Sequence, residues 1–107
     1  MSNFAEVVAR LSAVIESRKG GDAGASYTAK LLADPSFAAK KLGEEAIEAV
    51  IAATQRDKPG LAAESADLIY HWLVVLAAAG VSLDDVAAKL EAREGTSGLA
   101  EKAGRKT

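Results

Sequence analysis

The fold is decided by the stretch KLGEEAIEAVIAATQRDKPGLAAESADLIYHWLVVLAAAG, which spans residues 41–80. Up to the segment KPG at 58–60, its apolar residues recur at the spacing of a helix that is buried on one side. The run from Leu68 to Ala79 is apolar all round except for His71, which indicates a buried central helix. Because the connection between the two runs is short, we expect an antiparallel helix pair.

Capping residues, prolines and glycines mark the beginnings and ends of further helices. Asp34 and Pro35 form an N-cap followed by a proline at the first helical position, and Gly80 ends the apolar run. The predicted helices are residues 3–17, 26–32, 35–56, 59–79 and 82–94. No segment shows the two-residue period of a strand, so the sequence predicts an all-α fold with a single domain at 1–94 and a tail at 95–107.

The composition limits the size of the core. Half of the 107 residues are hydrophobic, but many of these are alanines, so large side chains that could fill a core are scarce. A chain of this length buries only roughly 65% of the surface that its unfolded form exposes. We therefore expect closely packed helices and a homodimer in which a second copy completes the core.

Charge and composition also exclude several classes of protein. The chain has no cysteine, which excludes disulfides and thiolate metal sites. Its net charge is −2 and no basic patch precedes the tail, so we expect no nucleic-acid partner. The apolar run at 68–79 is too short to span a bilayer and the N-terminus carries no signal segment, so we expect no membrane partner and a cytoplasmic location.

Five acidic residues on the two central helices form the candidate site. They are Glu44, Glu45 and Glu48 on the first helix and Glu64 and Asp67 on the second. A rotation of about 100° per residue places the three glutamates between two apolar edges. The predicted core face is an arc around Leu42 that includes Val50, and the second edge contains Ile47 and Ile51. Acids flanked by apolar residues on both sides are unusual for a plain solvent-exposed face.

The two helices can point four carboxylates into one space, because residues three apart share a helix face. Such a cluster is unfavourable without counter-charge, since like charges repel and raise one another's pKa. A hard divalent cation removes the repulsion, and ligation by oxygen alone selects Mg²⁺ or Mn²⁺. Mg²⁺ keeps open positions for phosphate oxygens and water, so the pattern indicates phosphate chemistry. The spacing by itself leaves ordinary surface ion pairs as an open alternative.

The same residues carry a resemblance to a known family. GEEAIEAVIAA at 43–53, followed by ESADLIYHWLVVL at 64–76, resembles the E-E-x-x-E … E-x-x-D signature of the MazG-like all-α nucleoside triphosphate pyrophosphatases. Further segments resemble the branch that hydrolyses phosphoribosyl-ATP in histidine biosynthesis. They are SYTAKLL at 26–32, DLIYHW at 67–72 and EAREGTSGLAEKAGR at 91–105.

The resemblance implies a fold and a reaction. The fold is a MazG-like helical bundle completed by homodimerisation. The reaction is Mg²⁺-dependent hydrolysis of 1-(5-phosphoribosyl)-ATP to 1-(5-phosphoribosyl)-AMP and pyrophosphate, the second step of L-histidine synthesis, with Mn²⁺ as a substitute ion.

The resemblance also implies roles for individual residues. The metal ligands are expected to be Glu45, Glu48, Glu64 and Asp67. Glu44 and Glu48 are the expected catalytic carboxylates, with Glu44 either holding and deprotonating the attacking water or completing the shell of a second metal ion. The residues expected to contact the substrate are Tyr27, Lys30, Lys41, His71 and Arg93.

Two alternatives stay open at this point. One is a house-cleaning nucleotide pyrophosphatase with the same metal site and another substrate, such as dUTP or a damaged triphosphate. The other is a non-catalytic helical dimerisation module whose acids form only ion pairs. The SYTAKLL segment and the Tyr70-His71 pair favour the histidine branch, and the tail at 95–107 is expected to order against a neighbouring subunit or over the site.

Overall fold

The computed structural model describes residues 2–95, which form five α-helices and contain no strand. The helices are α1 (Phe4–Ser17), α2 (Tyr27–Ala33), α3 (Pro35–Thr54), α4 (Lys58–Ala79) and α5 (Leu83–Glu91). The predicted all-α fold class is therefore confirmed. The tail predicted at 95–107 lies outside the described residues from residue 96 onward.

Side-chain caps explain why the helices begin where the sequence predicts. Each helix is preceded by a residue whose side chain accepts a hydrogen bond from a backbone amide of the first turn. These residues are Asn3, Ser26, Asp34, Asp57 and Ser82. Gly80 ends α4 in the left-handed conformation, with φ of 73°, which glycine adopts without strain.

The last helix is shorter than predicted. We expected it to reach about Glu94, but α5 ends at Glu91. Beyond that residue the chain continues in tight turns, in which the Arg93 amide donates to the carbonyl of Leu90 and the Glu94 amide to that of Glu91. A spacing of three residues between donor and acceptor marks a tightened helix end, which sequence periodicity does not resolve.

The central position predicted for α4 is confirmed. This helix contacts α1, α2 and α3, and its contact with α3 is the most extensive in the fold. Its residues Leu73, Val74 and Ala77 join Ile15 and Leu31 in the buried core.

Helix α4, with 22 residues, is also long and apolar enough to cross a bilayer by length and composition alone, although the run at 68–79 is not. One such helix is weak evidence for a membrane span, and α4 packs against three other helices of the described chain.

The buried face of α3 differs from the prediction. Val50, expected in the core, is 59% exposed, and Ile47 and Ile51 are exposed as well. The buried positions are instead Ala38, Glu45 and Ala52, which follow one another at intervals of two turns. These positions lie on the arc between the two predicted apolar edges, where small alanines let α4 approach closely. A helical rotation alone does not show which arc of a helix its neighbour covers. Glu45 consequently lies in the seam between α3 and α4.

Candidate metal centre

Three glutamates from the two central helices converge on one point. Glu45 and Glu48 of α3 and Glu64 of α4 each offer a carboxylate oxygen, and these oxygens all lie within 4.8 Å of one another. Glu45 and Glu48 meet because residues three apart share a helix face. Glu64 joins them because α4 packs along the same side of α3. Glu45 is buried, Glu64 is half-buried and Glu48 is exposed, so the cluster opens to solvent on one side.

Two oxygens of this cluster are buried without a partner. Oε2 of Glu45 and Oε2 of Glu64 are shielded from solvent and have no hydrogen-bond partner within residues 2–95. Buried polar atoms in native proteins are nearly always hydrogen-bonded or bound to an ion, because leaving them unpaired is unfavourable. A cation between the three carboxylates satisfies both atoms. The donor set consists of oxygen alone, which fits a hard divalent ion.

The electrostatics of the cluster point the same way. Hydrogen bonding with Glu48, burial, and the negative charge of Glu48 raise the pKa of Glu45, while a positive charge on His71 lowers this pKa when the ring is protonated. Burial raises the pKa of Glu64, as do a hydrogen bond with Glu48 and the charges of Glu48 and Asp67. The fold therefore holds these carboxylates close enough to share a proton, and a divalent cation can take the place of that proton.

The other two acids lie outside the group of three oxygens. The Glu44 carboxylate pairs with Lys41, with Oε2 and Nζ 3.8 Å apart at the partly exposed surface of α3. Asp67 is exposed, and its charge nevertheless raises the pKa of both Glu45 and Glu64. The structure thus brings three of the four predicted metal ligands together and leaves Asp67 beside them.

The predicted substrate residues lie in α2, α3, α4 and the turn after α5. Lys30 of α2 holds its ammonium nitrogen 5.6 Å from the ring centroid of Phe37 on α3. Arg93 lies in the turn after α5, and Lys41 pairs with Glu44.

Tyr27 and His71 form a hydrogen-bonded pair, with the Tyr27 hydroxyl 3.2 Å from Nε2 of His71. The Thr28 and Tyr70 hydroxyls form a second such pair at 2.6 Å. Both residues lie in segments that carry the family resemblance, but the sequence analysis did not name them as site residues.

A cavity of about 230 Å³ opens from the cluster toward the turn between α3 and α4. Glu48 and Glu64 form one side of it. The remaining lining residues are Ile51, Ala52, Gln55, Asp57 and Gly60. Sequence reasoning missed Gln55, since nothing in its local pattern relates the end of α3 to the acids. A group bound at the candidate metal centre has room to extend into this cavity.

Comparison with known proteins identifies the family. The family model described as "Phosphoribosyl-ATP pyrophosphohydrolase" matches residues 8–94, most of the chain. The chain belongs to this family. Similar proteins named "Phosphoribosyl-ATP pyrophosphatase" include one from Caulobacter vibrioides, 70% identical over 100 residues that cover 94% of each chain. Another, from Parvibaculum lavamentivorans, is 58% identical over 106 residues, covering 98% of this chain and 97% of the relative.

Membership in the phosphoribosyl-ATP pyrophosphohydrolase family confirms the resemblance predicted from the sequence. It also confirms the prediction of an enzyme that hydrolyses a nucleotide pyrophosphate bond. Membership in an enzyme family argues against the alternative of a non-catalytic dimerisation module. The match begins at residue 8 and thus extends the resemblance, which rested on residues 26–105, into α1.

Proposed function

We propose that this chain hydrolyses 1-(5-phosphoribosyl)-ATP to 1-(5-phosphoribosyl)-AMP and pyrophosphate, the second step of L-histidine synthesis, with Mg²⁺ bound at the cluster of three glutamates. The names of the relatives support the substrate. The observation that carries the metal is the pair of buried, unpartnered oxygens on Glu45 and Glu64. A house-cleaning pyrophosphatase with the same metal site is the alternative to test.

The proposed ligands are Glu45, Glu48 and Glu64, with Asp67 as a fourth at the exposed side. The three glutamates are supported by their convergence, and Asp67 by its electrostatic effect on two of them. Such an ion supplies positive charge to the phosphate oxygens of the substrate and to the departing pyrophosphate. Mn²⁺ has the same preference for oxygen ligands and is expected to substitute.

The catalytic roles are proposed for carboxylates that are accessible to water. Glu44 accepts the proton of the attacking water, and its half-exposed side chain, one residue before Glu45 in the sequence, supports this role. Completion of a second metal's shell is the other role open to it. Glu48 is the exposed member of the cluster, and the second catalytic role is proposed for it because substrate can reach the cluster from its exposed side.

Cationic side chains are proposed to bind the phosphates. A protein with a net charge of −2 needs local positive charge to hold a highly anionic substrate. Lys30, Lys41 and Arg93 are the proposed contacts, and arginine suits bidentate binding of a phosphate. The ring of Tyr27 is 49% exposed and is available for stacking on the nucleotide.

We further propose that the chain acts as a cytoplasmic homodimer without a nucleic-acid or membrane partner. Exposed apolar side chains support the dimer. Ile47, Val50 and Ile51 form an exposed apolar face on α3, and Phe4 on α1 is 70% exposed. Single surface apolar residues are ordinary in monomers, but adjacent residues on one helix face indicate an interface.

Pyrophosphate release from a panel of substrates tests the proposed activity. The purified chain is incubated with Mg²⁺ and phosphoribosyl-ATP, and in parallel with ATP, dUTP and other nucleoside triphosphates. Release from phosphoribosyl-ATP alone is expected. Release across the panel would instead identify a house-cleaning enzyme, and no release from any substrate would contradict an enzymatic role.

A further inference from the structure

Two consecutive hydrogen bonds join the short helix α2 to the acid-bearing helix α4. Tyr27 pairs with His71 at 3.2 Å, and Thr28 pairs with Tyr70 at 2.6 Å. Burial of the Tyr27 ring does not explain its place in this seam, because the residue is 49% exposed. The apolar contact of α2 with the core comes mainly from other positions, of which Leu31 is fully buried.

The hydrogen bonds of His71 have a definite direction. Its Nδ1 lies 2.7 Å from the backbone carbonyl oxygen of Asp67, and a carbonyl can only accept, so Nδ1 carries the hydrogen. In the neutral ring Nε2 then accepts, and the Tyr27 hydroxyl donates to it. A relay of two hydrogen bonds thus runs from α2 to the backbone of α4 at Asp67. His71 is only 6% exposed and both of its ring nitrogens have partners, so its geometry suits positioning better than contact with a substrate.

Helix α2 also contacts α3, the other acid-bearing helix. Lys30 follows Tyr27 by three residues and therefore shares its face of α2. Its ammonium group lies over the ring of Phe37 on α3. Helix α2 thereby bridges α3 and α4, the two helices that supply the metal centre. It has only seven residues, too few to be stable alone, so tertiary contacts fix where Lys30 lies.

We infer that Tyr27 and His71 are positioning residues, whose hydrogen bond anchors α2 so that Lys30 can bind the phosphate oxygens of a nucleotide at the metal centre. This inference rests on the proposed function and adds a specific role for the Tyr27 hydroxyl. Loss of the anchor lets α2 shift and weakens substrate binding. The chemical step, which depends on the glutamates, keeps its rate once substrate is bound.

The Thr28–Tyr70 pair provides a matched control. It joins the same two helices one residue further along, and its removal deletes one hydroxyl in the same way. Thr28 lies one residue from Tyr27 and two residues from Lys30, and residues one or two apart on a helix do not face the same side. Thr28 therefore does not share the face of Tyr27 and Lys30. A purely structural role predicts that both pairs matter alike, whereas positioning of Lys30 predicts that only the Tyr27–His71 pair affects the substrate.

Steady-state kinetics of Tyr27→Phe and Thr28→Val with Mg²⁺ and phosphoribosyl-ATP test the inference. We expect Tyr27→Phe to raise KM by about 5-fold, the effect of one hydrogen bond, with kcat changed less than about 2-fold. Thr28→Val is expected to lower the melting temperature and to leave KM unchanged. An unchanged KM in Tyr27→Phe, or equal increases of KM in both variants, would overturn this inference and leave the proposed function standing. Absence of pyrophosphate release by the wild type would overturn the proposed function as well.

A double-mutant cycle tests whether Tyr27 acts through Lys30. Lys30→Met removes the charge and keeps most of the side-chain length. If the hydroxyl acts by placing Lys30, Tyr27→Phe has no further effect on KM in the Lys30→Met background. Multiplicative effects of the two substitutions would overturn the inference, since they would make the two residues independent.

Nitrogen NMR gives a readout that is independent of activity. The chain has a single histidine, so the imidazole signals need no assignment by mutation. We expect the signals of a neutral ring protonated at Nδ1, with the Nε2 signal shifted in Tyr27→Phe and unchanged in Thr28→Val. Protonation at Nε2, or an identical spectrum in Tyr27→Phe, would contradict the relay.

Discussion

Glu45 of α3 and Glu64 of α4 each bury a carboxylate oxygen that has no hydrogen-bond partner in the described part of the chain. Glu48 adds a third carboxylate, one oxygen of which lies within 4.8 Å of an oxygen of each of the other two. Three carboxylates at this separation disfavour the folded state unless a proton or a cation neutralises them. The stability of the protein is therefore expected to depend on divalent metal and on pH, in ways that separate a metal centre from ordinary surface acids.

Divalent metal is expected to stabilise the fold. An ion that binds only the native state adds about 2.7 kcal/mol to the free energy of unfolding at 100 times its dissociation constant. Thermal unfolding with Mg²⁺, with Mn²⁺ and with a chelator measures the effect. Glu64→Gln should lose most of the stabilisation, while Glu91→Gln on the exposed surface of α5 should keep it. Equal melting temperatures with metal and with chelator would argue against a metal centre.

Without metal, Glu45 should make the protein less stable as the pH rises. Its pKa is raised in the folded state, so the native protein binds more protons than the unfolded chain above the ordinary carboxyl pKa of about 4.3. The stability that this proton provides is present at lower pH and is lost as the pH rises through the folded-state pKa.

Urea unfolding of the metal-free wild type and of Glu45→Gln, compared from about pH 4 to 8, isolates this contribution from those of other carboxylates. As the pH rises, the free energy of unfolding of the wild type should fall relative to that of Glu45→Gln. A difference that does not change with pH would show that the Glu45 carboxylate does not share a proton in the fold.

Glu44→Gln distinguishes the two roles proposed for this residue. If Glu44 is the base, kcat falls by about 10²-fold or more and the stabilisation by Mg²⁺ is kept. If it completes the shell of a second metal ion, both kcat and that stabilisation fall. Glu16→Gln, which breaks the exposed pair of Glu16 with Lys19 on α1, is the control for loss of a surface ion pair alone. Full activity in Glu44→Gln would exclude both roles.

The exposed apolar face of α3 should mediate dimerisation. Sedimentation of the wild type is expected to give twice the chain mass of 11.0 kDa. Replacing Ile47 and Val50 by lysine places charge on a face that is exposed in the single chain, so the monomer should still fold while the dimer dissociates. A monomeric wild type, or a dimer that survives both substitutions, would show that this face is not the interface.

The beginnings of the helices could be predicted because caps are local chemistry. Asp34 with Pro35, and Ser82 with Asp85, carry their signal within four residues. The core face of α3 could not be predicted, because Val50 lies on an apolar edge that only the position of α4 shows to be exposed.

The candidate site was predictable to the extent that helix spacing determines it. A spacing of three residues puts Glu45 and Glu48 on one face of α3, and the expected antiparallel pairing with α4 brings Glu64 toward them, as in the structure. The same rule places Asp67 on the face of Glu64, but it does not determine the direction of the side chain. The Tyr27–His71 bond joins residues 44 apart in the chain, and only tertiary structure brings such residues together.

Anomalous scattering from crystals grown with Mn²⁺ tests the central claim most directly. A manganese peak is predicted among the carboxylate oxygens of Glu45, Glu48 and Glu64, with metal–oxygen distances of about 2.0–2.3 Å, as hard divalent cations have in proteins. Crystals of Glu64→Gln should lose or weaken the peak. A manganese ion bound elsewhere, or three glutamates paired with lysine or arginine and no peak at all, would contradict the account.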